Sequence, residues 1–236
     1  MDTIIDVYAL APVPNVCDQI LREVIALPDV SLAHVIMDAG NRSLLHQHQH
    51  MTEIYYILSG EGILCKGTDA LLVQKNSPVL IPSNTPHQLH NTGSSTLEHL
   101  VFAIPPFIPE DIEVMDGKET IYTVKKTSAP TPLIPATDGA MIREIPTGMD
   151  IGLAAGYLPI GRKALPHYHA ISEEVYYIIS GSGILHLDRQ RHPVSPGITA
   201  RIPRNTIHAL ENTGTQEMEI LCLSTPKYTE EDFIRV

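Results

Sequence analysis

His46-Gln47-His48, followed by Glu53 and later by His87, decides the reading of this chain because it is written twice. His167-Tyr168-His169, Glu174 and His208 repeat it at one offset, since 167−46, 169−48, 174−53 and 208−87 all equal 121. The register extends outward from these residues. Leu21-Arg22-Glu23-Val24 returns as Ile142-Arg143-Glu144-Ile145, and Glu110-Asp111-Ile112 as Glu231-Asp232-Phe233, with Gly40/Gly161, Gly60/Gly181 and Asn91-Thr92-Gly93/Asn212-Thr213-Gly214 in step between them. A chain of 236 residues is therefore read as two similar domains, each long enough to bury a core. We place them at residues 1–119 and 120–236. Residues 1–19, ahead of the first copy, are expected to supply an edge strand or an arm. The stretch from Lys118 to Asp138, with Pro130, Pro132 and Pro135, reads as a partly extended linker.

Within each copy the local signal is strand and turn. Short β-branched and aromatic runs such as Ile54 to Leu58 and Val175 to Ile179 alternate with Gly, Pro and Asn. Ser59-Gly60-Glu61-Gly62 and Ser180-Gly181-Ser182-Gly183 read as tight hairpin turns, in which Gly supplies a positive φ. Helix is expected only as a short turn around Pro109 to Val114 and Thr229 to Phe233. The fold class is all-β, a sandwich or barrel.

Composition narrows the function. The 16 Lys and Arg stand against 27 Asp and Glu, a net charge of −11 without a basic run, so neither nucleic acid nor an anionic membrane surface is expected as a partner. No apolar run approaches the roughly 20 residues that span a bilayer, and the acidic N-terminus lacks the pattern of a signal peptide. The expected setting is the cytoplasm. Cys17, Cys65 and Cys222 are odd in number and widely spaced, which suggests neither a disulfide framework nor a thiolate zinc site.

The repeated residues form metal-ligand sets. On a strand, i and i+2 share a face, so His46 and His48 point the same way, as do His167 and His169. Glu53 lies an odd step beyond His48, so the chain must turn within Gln49 to Thr52 and bring Glu53 opposite the imidazoles. It then returns with His87, or His208 in the second copy. Three imidazoles and a carboxylate suit one divalent transition metal per domain without fixing which, since Fe, Mn, Ni, Cu and Zn all accept them. In octahedral geometry two positions stay open for water, oxygen or substrate. Glu53 and Glu174 offset one of the two positive charges, and the remaining charge favours an anionic or chelating ligand.

Gly40-x5-His46-x-His48-x4-Glu53-x6-Gly60 and its copy from Gly161 resemble the first motif of the cupin superfamily. Pro82-x-Asn84-x2-His87-x3-Asn91 and its copy from Pro203 resemble the second. The resemblance covers residues 20–112 and 141–233 and implies a bicupin, two tandem jelly-roll (double-stranded β-helix) barrels with a metal in each. The second motif usually carries Gly where Asn84 and Asn205 stand, and Asn76 replaces a further Gly that Gly197 retains. Asn is the next best residue for a left-handed backbone, so the turns are expected to survive.

Counting by twos from the glutamates, Tyr55 and Tyr176 should line the cavities. With Glu53, Glu174 and His50 they are the candidate catalytic residues. His50 is read as an exposed loop histidine, and Arg201, which faces Leu80 in the repeat, as either a carboxylate holder or a surface strand residue. The resemblance to quercetinase-like bicupins implies a metal-dependent dioxygenase, with iron as the first expected metal, acting on a small chelating enol, phenol or diketone. The alternatives are a non-oxidative isomerase, lyase or decarboxylase with the metal as Lewis acid, and a non-catalytic binding protein. Oxalate decarboxylases carry an Arg three residues before the first ligand His, where Ser43 and Ala164 stand here, which argues against that activity. A bicupin already resembles an internal dimer, so a monomer or a homodimer is expected.

Overall fold

Alternation of β-branched and aromatic residues with polar ones makes strands with one inward face, and in each half of the chain those faces close on a single core. The computed structural model describes residues 3–116, 124–127 and 130–236. Among them there is no α-helix, only 3-10 turns at Val7–Ala9, Pro109–Asp111 and Glu230–Asp232. The last two are the short turns expected at the end of each copy.

The chain divides into two compact units, Leu10–Ala129 and Pro130–Val236 joined by Met1–Ala9. The boundary placed near residue 120 lies outside the described residues. Two segments differ in allegiance from the sequence expectation. The N-terminal strand Ile4–Asp6 pairs with Ile198–Ile202 of the second barrel, as an arm rather than as part of the first. The strand Val124–Lys126 pairs with Asp69–Gln74 of the first.

The first barrel has two sheets. One runs Ile20–Ala26, Ser31–Met37, Leu97–Ile104, Thr52–Ser59, Pro78–Ile81, and the other Ile112–Val114, His46–His48, His87–Asn91, Glu61–Lys66, Asp69–Gln74, Val124–Lys126. The second barrel repeats the plan, with Met141–Glu144, Gly152–Leu158, Met218–Thr225, Glu173–Ser180 and Ile198–Ile202 in one sheet. Its other sheet holds Phe233–Arg235, His167–His169, His208–Asn212, Gly183–Leu187 and Gln190–Val194. The cores lie between the sheets. Val35, Tyr55, Ile57, Leu64 and Leu89 lead the first, and Tyr176, Ile178, Leu185, Ile202 and Leu210 the second. Burying side chains of this size contributes about 1.5–3 kcal/mol each, offset by the entropy of ordering them.

The Gly60 and Gly181 turns are not hairpins. Thr52–Ser59 and Glu61–Lys66 belong to different sheets, as do Glu173–Ser180 and Gly183–Leu187, so each turn carries the chain around a barrel corner. Gly60 has φ 79°, and a Cβ there would lie 2.5 Å from the Thr96 carbonyl oxygen. Asn76, Asn84 and Asn205 take φ of 65°, 56° and 61°, so the Asn replacements do keep the left-handed turns.

Two candidate metal centres

The ligand strands face one another across each barrel. His46 pairs directly with His87, and His167 with His208, while the glutamates come from the opposite sheet. One ligand atom from each of His46, His48, Glu53 and His87 lies within 4.8 Å of all the others, and the same holds for His167, His169, Glu174 and His208. All eight residues are buried. Glu53 Oε2 is 2.9 Å from His87 Nε2, and Glu174 Oε2 is 3.0 Å from His208 Nε2.

Hydrogen bonds fix the imidazole tautomers. A carbonyl only accepts, so the Nδ1–H of His46 donates to Leu44 O at 2.9 Å and that of His87 to Thr85 O at 3.0 Å. His167, His169 and His208 donate in the same way to Leu165 O, Asp232 O and Thr206 O. Each of these rings therefore turns an Nε2 lone pair inward, the arrangement that orients metal-bound histidines. Glu53 Oε2, His87 Nε2, His169 Nε2, Glu174 Oε2 and His208 Nε2 are buried without a hydrogen-bond partner. Buried orphan acceptors of this kind are costly unless something else satisfies them. A divalent transition metal fits both sets.

The electrostatics agree. Burial lowers His46 and His167 to about 4, so both rings are neutral and able to ligate at neutral pH. Burial alone would push the Glu174 carboxyl up, but His208, His169 and His167 outweigh it and hold the group at about 2. Glu53 is likewise held below the ordinary carboxylate range, burial being outweighed by His87, His48 and His46.

The turn between the paired histidines and the glutamate has its own support, which the sequence reading missed. Asp232 Oδ1 accepts the N–H groups of Ala170 and Ile171, and Oδ2 that of Ser172, all at 2.8 Å. Asp111 does the same for His50 at 2.9 Å and Met51 at 3.0 Å. The signal was present, because 232−111 is again 121.

His50, offered as a candidate acid or base, is placed outside the cluster. Its side chain is 79% exposed and its ring is tied by Nδ1 to Asp111 Oδ1 at 2.8 Å, because the turn carries it outward. Arg201 is a surface strand residue bonded through Nε and Nη2 to the Glu173 carboxylate, at 2.6 and 2.9 Å. Tyr55 and Tyr176 do face the centres, with ring centroids 5.9 Å from His87 and 6.0 Å from His208. Burial and then the neighbouring glutamate charge raise both phenols well above their usual range, so both stay protonated.

A cavity of about 670 Å³ opens in the second barrel and reaches His167, His169, Glu174 and Tyr176. Its walls are chiefly apolar, with Ile142, Gly156, Leu158 and Ile220 among them. Sequence reasoning also missed two residues here. Cys222 donates its S–H to Glu174 Oε1 at 3.3 Å, and Asp138 lines the cavity.

Two barrels with a buried His3Glu set in each define a bicupin with two metal-binding clusters. The cupin domain family matches residues 33–103 and again 156–224, and the chain belongs to that family. An uncharacterised protein of Methanocaldococcus jannaschii is 43% identical over 100 residues, 40% of this chain and 80% of that protein. An oxalate-binding protein of Thermotoga maritima is 32% identical over 72 residues, 30% of this chain and 60% of that protein. Among solved structures, the formate complex of Lactobacillus farciminis oxalate decarboxylase superposes with a TM-score of 0.75 at 14% identity, covering 100% of this chain and 89% of that one. Bacillus subtilis oxalate decarboxylase at pH 4.6 gives 0.72 at 15% identity over 97% of this chain and 77% of that one. At these identities the likeness concerns the fold. Among the described residues, no helix is long and apolar enough to cross a membrane.

Proposed function

We propose that the chain is a metal-dependent enzyme of the cytoplasm whose second barrel takes a small organic substrate bearing chelating oxygens, an enol, phenol or diketone, and oxidises it as a dioxygenase. The observation that carries this reading is the largely apolar cavity of about 670 Å³ ending on three of the four ligands of the second cluster. A bound iron, or another divalent transition metal, would supply Lewis acidity and open positions for substrate and oxygen.

The chain's own residues do the rest. His167, His169, Glu174 and His208 hold the ion, and the carbonyls behind the imidazoles keep them in ligating orientation. The apolar wall binds the body of the substrate and excludes water, which strengthens the polar contacts inside. Tyr176 remains a phenol and can donate its O–H to a substrate oxygen.

The charge in the cavity selects the substrate. Asp138, Glu144, Glu174 and Glu230 line it against Lys227, so a dianion is disfavoured relative to a neutral or singly charged molecule. Where an arginine would hold a dicarboxylate, the cavity has the buried Ala164. Oxalate is thus a poor match, despite the likeness of fold.

A second reading, non-oxidative isomerase, lyase or decarboxylase chemistry, is favoured by Asp138, because such reactions need an acid or base beyond the ligands. One experiment separates the two. Metal-loaded protein is offered a panel of β-diketones, catechols and 2-hydroxy-enones in an oxygen electrode and, in parallel, under argon with product detection by NMR. Oxygen uptake stoichiometric with substrate loss supports the dioxygenase. Equal turnover under argon supports the non-oxidative reading, and no turnover in either arm sinks both.

A further inference from the structure

Position 138 of the second barrel and position 17 of the first are equivalent, since 138−17 is 121, and they carry Asp and Cys. The local framework confirms the match. The bridge Val13↔Leu21 corresponds to the pairing Ile134↔Ile142 at the same offset. Asp138 lines the cavity that ends on the second cluster, and Cys17 lies within reach of the Glu53 charge.

Asp138 is well placed for more than packing. Its Oδ1 accepts the Ala140 N–H at 3.0 Å and its backbone carbonyl accepts the N–H of Leu165, two positions before the ligand strand, at 2.8 Å, which ties Asp138 to that strand. Among the described residues no side chain hydrogen-bonds to its carboxylate. It lines the same cavity as His167, His169, Glu174 and Tyr176 but lies outside the ligand set. A carboxylate with an uncommitted oxygen that shares the cavity with the ligands without being one of them is the kind of group that can take the acidic proton of a chelating substrate.

We propose that Asp138 is the proton-transfer group of the second centre, taking the proton that an enol or phenol gives up as it binds. The inference rests on the cavity reading above. The substrate O–H bond breaks with its electron pair left on oxygen, and a new O–H bond forms on Asp138 Oδ2. The proton returns to the product by the reverse transfer. Burial, the largest influence, together with the negative charge of Glu174 raises the affinity of this carboxyl for a proton, against the opposing Ala140 N–H and His208. Tyr176, Cys222 and Tyr228 also feel its charge, and each is held protonated by burial, so none of the three competes for the proton. Cys17 is held as the protonated thiol by its own burial and so gives the first centre no such function.

The test uses full-length protein loaded with zinc and 4-nitrocatechol as probe, a chelating phenol whose visible absorbance reports its ionisation. Calorimetry in buffers of different ionisation enthalpy counts the protons released per probe bound, and plasma mass spectrometry checks that metal content is unchanged. Asp138→Asn keeps an oxygen for the Ala140 N–H, and Asp138→Cys installs the first-barrel residue. The expected result for both is about tenfold weaker binding and one more proton released to solvent than in wild type, while Cys17→Ala changes neither. Unchanged proton release in both Asp138 variants, with binding lost in Gly156→Val, would overturn the assignment and leave the cavity reading standing. Binding indifferent to Gly156→Val would sink the cavity reading, and the assignment with it.

Discussion

The two barrels hold the same four ligands in the same geometry, yet differ in the inward rows of side chains beside them. In the first, Val35 pairs with His99 and His99 with Ile57; in the second, Gly156 pairs with Ile220 and Ile220 with Ile178. Val79 of the first barrel likewise becomes Ala200. Val35, Val79 and the His99 imidazole thus stand in the first interior where Gly156, Ala200 and Ile220 border the cavity side of the second. His99 is buried, its ring centroid 5.0 Å from that of Tyr55, and burial lowers it to about 3, so it packs as a neutral ring. A duplicated ligand set is therefore not a duplicated site, because ligands fix where a metal sits and the adjoining rows fix what can reach it.

The sharpest way to break this comparison is to remove one glutamate at a time. Glu174→Gln and Glu53→Gln should each reduce the metal from two equivalents to one, one per cluster, by plasma mass spectrometry. Turnover should be abolished by the first and retained by the second. Equal loss in both would show that the barrels do the same work.

Next in size is the carboxylate under each ligand turn. Asp232→Ala leaves three N–H donors without their partner and should destabilise by about 2–4 kcal/mol, read as a shift in the urea midpoint. Asp111→Ala, with two backbone donors, should cost less. Burial would raise both carboxyls, but it is outweighed at Asp111 by the His50 ring and then the Met51 and His50 N–H groups, and at Asp232 chiefly by the Ser172, Ile171 and Ala170 N–H groups, so each folded pKa lies below the ordinary value. Their contribution is therefore complete above about pH 4, the unfolded value, and is lost as pH falls through the folded pKa. Asp232→Asn should flatten that acid limb of the stability curve.

Exchanging the rows tests access directly. A Cβ on Gly156 would meet Ile220 Cγ1 at 3.0 Å, so Gly156→Val should cost about 1–3 kcal/mol and close the cavity to 4-nitrocatechol. Val35→Gly should cost a similar amount through the void and the freer backbone. It should add a second binding event per chain in calorimetry.

Metal affinity should fall on acidification, by about tenfold per pH unit for each displaced proton. Burial lowers His87 and His208, but the adjacent glutamates more than reverse this, so acid competes with a metal for the Nε2 lone pair of each more strongly than it would at a free imidazole. Competition with a chromophoric chelator from pH 8 to 5 measures the slope. The smallest effect belongs to His50→Ala, which removes one exposed contact with Asp111 and should change stability by less than about 1 kcal/mol. It should leave metal content and turnover untouched.

Much of this was legible in one dimension. The spacing of His46, His48, Glu53 and His87 identified the ligands, because a period of two on a strand and one enforced turn suffice to bring them together. The 121-residue offset made the second centre a copy of the first. Other features escaped because they depend on contacts distant in sequence. Nothing near Gly60 says that its flanking strands join different sheets, and nothing near His50, read correctly as an exposed loop residue, says that Asp111 is its partner. The arm Ile4–Asp6 joins Ile198–Ile202 nearly 200 residues away. Asp138 lay inside a segment read as linker, since its meaning comes only from the cavity it borders.

The sequence by itself determined the duplication, the all-β class and the two ligand sets, since periodicity and residue chemistry are local properties that repeat with the chain. Only the tertiary structure revealed the cavity that reaches the second centre and which groups accompany the ligands. A cavity is the volume that packed side chains from many strands leave unfilled, and replacing Val35 by Gly156 or Cys17 by Asp138 acquires its consequence only when those strands are brought together.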